Sequence, residues 1–490
     1  MKKYEHAFGK NDIRGIYGED ITEELFYNIG RGFVDWLKQQ SGKKETEMWI
    51  TITRDARLHS PALEKALTAG ITSTGANVIH LGLAPTPLGY YSEVVGIPGY
   101  NVIAAAIITA SHNPKEYNGL KMTYNKRTLT EKQIAEVKNI TFKNWQNITT
   151  HENKSTGSVT DYNIIPDYIK DMENRFGSIG KGVKVVVDSA NATGGVVGPE
   201  LYRKLGCNVI ELFSEPDGNF PNHHPNPSVE KTLDTLKEVV VDNKADIGIA
   251  YDGDSDRIGI IDQDGRFLTG DKLLLIYAMD LIEDCKKTGT RPTIVSEVKC
   301  SQVLYDQINK LGGNAVMCKT GHGYIKDKMK ETNALLAGEM SGHTFFKDKY
   351  YGFDDAIYAG CRIIEIISKH KKNNPNFKIS DMLKPFDDVC SSPEVRFPCP
   401  NERKKEVLEK FKQCVEANRK MFGSDIKEII TLDGMRIVFD GGFALIRQSN
   451  TEPVFTLRFE AKNKEECDRF KSCMINTLES ILKQGKEINP

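Results

Sequence analysis

The chain is predicted to be an α/β protein of several domains that closes with a smaller α+β domain, and three features carry that expectation. Short β-branched or apolar runs alternate with helix-like segments over most of the length. Three tracts poor in core-forming residues interrupt the alternation, and the texture changes after Pro393. At roughly 100–200 residues per domain, 490 residues make about three or four domains with sizeable cores.

In chain order, the strand candidates are Met48 to Thr53 (MWITIT), Val102 to Ile108, Lys184 to Val187, Ile247 to Tyr251 and Thr293 to Val298. Between them lie amphipathic helix patterns such as GDKLLLIYAMDLIEDCKK and SQVLYDQINKLGG, the second closed by a glycine pair suited to a helix C-terminus. The breaks are TTHENKSTGS (Thr149 to Ser158), DQDGRFLTGD (Asp262 to Asp271) and KKNNPNFK (Lys371 to Lys378). Cut there, the chain divides as 1–155, 156–265, 266–380 and 381–490. The tail carries strand-like MRIVFDGGFALIRQS and TLRFEA before a closing helix, hence the α+β expectation. WITITRDAR, KVVVDSANATGG and TIVSEVKCS each run from a strand into a polar loop, a faint echo that fits repeated domains.

Charge and cysteine usage exclude some function classes. The 66 basic and 67 acidic side chains give a net charge of −1, which argues against coating nucleic acid or an anionic membrane. The N-terminus has two lysines but no apolar h-region, and no stretch approaches the roughly 18–20 apolar residues of a span, so a soluble, cytoplasmic protein is expected. All 10 cysteines fall after residue 200 without a CxxC spacing, so they read as reduced structural thiols.

Four polar segments follow apolar runs, where ligands sit in open α/β sheets. The first, TASHNPKEYNGLK, brings Ser111 after the run NVIAAAII. A serine there either caps a following helix or stands exposed in a cleft, with His112, Asn113 and Lys121 near enough in sequence to bind phosphate or move a proton. The second, DIGIAYDGDSDRIGIIDQD, delivers Asp252, Asp254 and Asp256 at alternate positions. Alternation puts the carboxylates on one side of an extended turn, where they repel unless a cation lies among them. Oxygen-only ligands point to a hard metal, Mg²⁺ with a phosphate completing its shell being the natural fit. An EF-hand fails on Arg257 at its sixth position and Gln263 at its twelfth. The third, GEMSGH, offers Glu339 and Ser341 for sugar hydroxyls and His343 for acid–base work, although a histidine beside small residues is more often structural. The fourth, RQSNTEP, supplies Arg447 with Ser449, Asn450 and Thr451, either an ordinary turn or a clamp for one phosphate.

Taken together and in this order, SHNP, DGDSDR, GEMSGH and RQSNTEP resemble the α-D-phosphohexomutase superfamily over essentially the whole chain, and GEMSGH resembles its phosphomannomutase/phosphoglucomutase group. The resemblance implies three related α/β domains and a C-terminal α+β domain, heart-shaped around a central cleft. It implies that Ser111 is the serine phosphorylated in the active enzyme and that it joins Asp252, Asp254 and Asp256 as a ligand of Mg²⁺. Arg257 matches a residue near the sugar or its phosphate, Glu339 and Ser341 the hydroxyl readers, and Arg447, Ser449, Asn450 and Thr451 the distal phosphate clamp. Arg14 in NDIRG, Lys121 in NGLK, Lys299 in VKCS and His322 in TGHGYIK match residues lining the family's cleft. Lys121, Lys299, His112 and His343 are the candidates for proton transfer, and Arg14 is placed with them in the catalytic set. Two departures stand out: KNDIRG lacks the aromatic residue often found before the aspartate, and His59 replaces a common serine in RDARLHS.

The expected reaction interconverts hexose 1-phosphate and hexose 6-phosphate, of mannose or glucose, through phospho-Ser111 and a hexose 1,6-bisphosphate that also serves as activator. Positioning and charge neutralisation are what such a transfer requires. The expected partners are small hexose phosphates, with no nucleic acid or membrane, and the expected assembly is a monomer or homodimer. Two rivals are a metal-dependent sugar phosphatase, which has no use for a clamp holding a second phosphate, and a non-catalytic sugar-phosphate-binding protein, which has no use for an intact serine and aspartate set.

Overall fold

The computed structural model describes residues 2–146, 156–449 and 452–484. Most of the break at Thr149 to Ser158 therefore lies outside the described residues, as do Asn450 and Thr451. Contacts divide the chain into two compact units, residues 1–269 with 341–379, and residues 270–340 with 380–490. The stretch 266–380 is thus shared between them.

Two mixed sheets form the first unit. In one, Trp49–Arg54 is flanked in parallel by Asn77–Leu83 and Val102–Ile108, and Val159–Asp161 extends the Asn77–Leu83 side. On the other side Tyr117–Tyr124 runs antiparallel to Val102–Ile108 and pairs with Ile13–Ile16. The central strands read as near-continuous apolar runs because both faces are covered. Helices Glu23–Ser41, Ser60–Thr72 and Glu131–Gln146 contribute to one core with Phe26, Ile29, Leu67 and Val137. In the second sheet, Lys184–Asp188 pairs in parallel with Asn208–Leu212 and Ile247–Tyr251, and Ile258–Asp262 returns antiparallel. The DQDGRFLTGD break turns as a hairpin: Asp262 accepts the N–H groups of Asp264 and Arg266, and Phe267–Leu268 rejoins the sheet. Helix Ala356–Asn373 packs here, its Gly360 so close to Tyr202 that a Cβ would lie 1.8 Å from the phenol oxygen.

The second unit contains a parallel sheet in which Thr293–Glu297 lies between Asn314–Cys318 and Leu336–Gly338. The helix pattern beginning at Gly270 is helix Gly270–Lys287, and Ser301 caps helix Gln302–Lys310 by accepting the Val303 N–H. The unit ends in an antiparallel sheet ordered Cys390–Ser391, Val454–Ala461, Gly442–Gln448, Met435–Phe439 and Glu428–Ile430, with Val395–Pro398 also on Val454–Ala461. Helices Lys404–Ala417 and Lys464–Gln484 share its core through Phe411, Phe470 and Met474. Three parallel-containing α/β sheets followed by an antiparallel sheet with helices are the fold class expected from the sequence. All ten cysteines are free thiols. Among the described residues, no helix is long and apolar enough to cross a membrane.

Candidate active site

Ser111 lies three residues beyond the end of strand Val102–Ile108, in a loop that leads into the strand Tyr117–Tyr124. No helix follows, so the helix-capping alternative falls. The loop holds Ser111 at φ 50°, a left-handed conformation that costs an L-residue about 1 kcal/mol. Arg57 stabilises it. Its guanidinium donates to the carbonyl oxygens of Ser111 (2.9 Å), Asn113 (2.7 Å), Pro114 (2.6 Å) and Tyr117 (3.0 Å), and to the Asp55 carboxylate (3.0 Å). Fully buried, this one side chain donates to four carbonyls of the loop and of the strand start that follows it.

The Ser111 hydroxyl donates to Asp252 Oδ2 at 2.7 Å, and His112 Nδ1 lies 3.2 Å from the Ser111 Oγ. Burial, followed by the charges of Arg257, Arg14 and His343, holds the His112 pKa well below its ordinary value, so its imidazole is neutral. Gly253 permits the close approach of the aspartate loop, since a Cβ there would stand 2.4 Å from the Ser111 carbonyl oxygen.

Asp252, Asp254 and Asp256 are buried, and each offers an oxygen within 4.8 Å of the others. They converge through a curled loop and not through extended alternation. Ser255 has φ 60°, and Asp252 Oδ1 accepts the N–H groups of Asp256 and Arg257, both at 3.1 Å. Lys121 Nζ donates to Asp254 Oδ2 (2.7 Å) and Asp256 Oδ2 (2.5 Å). Burial opposes the Lys121 charge, but Asp254 and Asp256 outweigh it and raise its pKa well above the ordinary value. Burial likewise opposes ionisation of Asp256, yet Lys121, His343 and Arg257 hold its pKa at about 2. Asp252 goes the other way, raised by burial and then by its two aspartate neighbours.

These donors fit a hard divalent cation. Three buried carboxylates converge, and Asp254 Oδ1 and Asp256 Oδ1 are buried oxygens that accept no hydrogen bond among the described residues. Arg14 donates to Asp12 (2.5 Å) and to the Asn113 side chain (2.9 Å); burial lowers its pKa, but Asp12, Asp254 and Asp256 raise it on balance. Arg257 Nε donates to His343 Nε2 at 3.0 Å, and His343 Nδ1 lies 3.2 Å from Asp354 and 3.6 Å from Asp256. The first unit therefore brings together Arg14, Ser111, His112, Lys121, the three aspartates, Arg257 and His343. Ser341 lies two residues from His343 in the same unit.

A second constellation lies within the second unit. Glu339 accepts the Gly321 N–H at 2.8 Å, beside His322 at the start of helix His322–Thr332. Gly321 adopts φ 127°, a conformation reserved to glycine in practice. Asp433 accepts both the Thr320 N–H and Arg447 Nε at 3.1 Å, tying the strand end that carries Arg447 to the same loop. Ser449 Oγ accepts the Glu452 N–H. Burial lowers the Lys299 pKa, but Glu297 and Glu394, 3.6 and 3.7 Å from its ammonium, raise it on balance, with Arg447 and Glu339 also within electrostatic reach.

Sequence reasoning passes over Arg57, Asp55, Asp354 and Asp433, and over Thr86, whose hydroxyl donates to Asp254 Oδ2. Only RDAR carried a signal, three charged residues where a strand ends.

Comparison with known proteins agrees along the whole chain. Phosphoglucomutase/phosphomannomutase family models match in order: alpha/beta/alpha domain I over residues 5–147, domain II over 166–265, domain III over 269–385 and the C-terminal domain over 394–476. A Pseudomonas aeruginosa protein named phosphomannomutase/phosphoglucomutase is 38% identical over 474 residues, 97% of this chain and 96% of its own. A Neisseria gonorrhoeae phosphoglucomutase is 36% identical over 96% of each chain. The crystal structure of a phosphoglucomutase/phosphomannomutase family protein from Burkholderia thailandensis superposes with TM-score 0.84 at 33% identity over 97% of each chain.

Proposed function

We propose that this chain, which belongs to the phosphoglucomutase/phosphomannomutase family, interconverts hexose 1-phosphate and hexose 6-phosphate, and that phosphorylated Ser111 carries the transferred group. The chain is a hexose phosphate mutase, an isomerase that works by phosphoryl transfer. The observation that carries the assignment of Ser111 is its hydroxyl, buried and hydrogen-bonded to an aspartate of the triple-carboxylate loop.

In this reading, a hexose phosphate presents its free hydroxyl to phospho-Ser111. An O–P bond to the sugar forms as the Oγ–P bond breaks; the sugar hydroxyl gives its proton to an imidazole, and the resulting imidazolium returns a proton to the released Ser111 oxygen. The product is a hexose 1,6-bisphosphate, which turns and returns its other phosphate to Ser111. His112 and His343 suit the proton acceptor, while Lys121 and Arg14 remain charged and steady the phosphoryl oxygens; Lys299, in the second unit, also remains charged. Asp252, Asp254, Asp256 and a phospho-Ser111 oxygen would hold Mg²⁺, which when bound neutralises charge on the transferring group. Arg257, His322, Glu339 and Ser341 would read the sugar, and Arg447, Ser449, Asn450 and Thr451 its distal phosphate. The division into domains at 1–155, 156–265, 266–380 and 381–490, the cytoplasmic setting and a monomeric or homodimeric state complete the proposal.

A coupled assay tests it. With Mg²⁺ and a trace of glucose 1,6-bisphosphate, glucose 1-phosphate and mannose 1-phosphate are presented separately, and each 6-phosphate is followed together with free phosphate. Formation of 6-phosphate supports the mutase, and the ratio of rates names the preferred sugar. Free phosphate without 6-phosphate would replace it by the phosphatase.

A further inference from the structure

Resting on the reading that Asp252, Asp254 and Asp256 hold a divalent cation, we propose that Thr86 is a positioning residue for that cation: it fixes which oxygen of Asp254 the cation meets. Thr86 is the first residue of helix Thr86–Val94, fully buried and 168 positions from Asp254 in sequence. It makes two bonds to that one residue. Its hydroxyl donates to Asp254 Oδ2 at 2.7 Å, and its backbone N–H donates to the Asp254 carbonyl at 2.8 Å.

Lys121 Nζ donates to the same Oδ2 at 2.7 Å, so two donors converge on one carboxylate oxygen. The other, Oδ1, is buried and accepts no hydrogen bond among the described residues. The final torsion of an aspartate is broad and roughly two-fold, so an unanchored carboxylate presents either oxygen. With Oδ2 saturated from two sides, only Oδ1 keeps both lone pairs for a cation. Pro85 and Pro87 flank Thr86 and restrict its backbone, which aims the hydroxyl in one direction. A donor behind a ligand carboxylate is the kind of outer partner whose loss weakens metal affinity by about 10–100-fold.

The test is direct cation binding by the full-length, dephosphorylated protein, with Mn²⁺ and then Mg²⁺ titrated by calorimetry and free Mn²⁺ followed by electron paramagnetic resonance. Thr86→Val keeps the shape and removes the hydroxyl, and a loss of Mn²⁺ affinity of about tenfold or more is expected. Thr86→Ser keeps the hydroxyl and is expected to bind close to wild type. A valine variant with wild-type affinity, or a serine variant as weak as the valine one, overturns the role of Thr86. Should the valine variant fail to fold, Thr86→Ala against Thr86→Ser makes the same comparison. A wild-type protein that binds no divalent cation, and that Asp254→Asn leaves unchanged, would instead overturn the cation reading itself.

Discussion

The two compact units hold their reactive groups in different ways. In the first, Ser111, Lys121 and the three aspartates are almost wholly buried and bond to one another, and Arg57 secures the serine loop from behind. In the second, Glu339 and Arg447 are also buried, at the ends of strands, but they meet the loop at Thr320 and Gly321 through its backbone N–H groups and Asp433, and His322 is only partly buried. A closed ion network suits a step that must exclude water and needs preorganised charge. Groups that meet through the backbone of a loop suit a ligand whose two ends must be accepted in turn. Substitutions should therefore cost chemistry and stability in the first unit, and substrate affinity in the second.

The largest effect is expected at the nucleophile. Ser111→Ala should lower kcat for interconversion by more than about 10³-fold, beyond about 4 kcal/mol, while sugar-phosphate binding survives. Calorimetric binding beside the coupled assay checks both, and turnover near wild type would break the contrast at its centre. Arg57→Met tests the buttress: it takes from a dry site the donor to Asp55 Oδ2 and to the Ser111, Asn113, Pro114 and Tyr117 carbonyls, for which about 3–5 kcal/mol of stability is expected to be lost. Thermal unfolding measures this, and a melting temperature within a degree of wild type would show the loop standing without its arginine.

Arg447→Ala belongs to the other unit and should act differently. Losing a guanidinium that meets phosphate is expected to lower kcat/KM by about 10²-fold, near 3 kcal/mol, chiefly by raising KM. Stability should barely change, because Asp433, the carboxylate that Arg447 meets, keeps the Thr320 N–H. Initial rates across substrate concentration decide the matter. A fall in kcat at constant KM would place Arg447 with the chemistry.

How much of this was legible in the sequence follows the range of the interactions. Val102–Ile108, Ile247–Tyr251 and helix Gly270–Lys287 emerge as read, because an apolar run or a helical period is a local signal. The aspartate trio was legible for the same reason, though its curled backbone was not: Ser255 enters the left-handed region with no glycine to announce it. The partners of Ser111 and Asp254 come from far away, Arg57 by 54 positions and Thr86 by 168, and periodicity carries no trace of such pairings. Nor does GEMSGH betray that contacts part it, with Glu339 in one unit and Ser341 and His343 in the other.

The smallest effect sharpens the contrast by pH. Asp355, in the first unit, is fully buried; burial raises its pKa from 3.8 to about 6, against the hydrogen bonds of Tyr350 (2.6 Å), Tyr168 (2.9 Å) and the Tyr358 N–H (2.9 Å). Asp440, in the second, is exposed between Lys427 and Lys462, whose hydrogen bonds lower its pKa to about 2. The signs are opposite. Between about pH 4 and 6 folded Asp355 keeps a proton that the unfolded chain has released, so its contribution to stability declines as pH rises through that window. The wild-type advantage over Asp355→Asn should therefore shrink by roughly 2 kcal/mol from pH 4 to pH 6, other titrations cancelling in the difference. Any Asp440 contribution, present above its unfolded value, would fade only as pH falls towards 2, and solvent screening leaves it near zero. Denaturant midpoints for both asparagine variants at pH 4, 5 and 6 decide it: a difference at Asp355 that is flat or grows with pH would mean that burial does not govern that carboxyl.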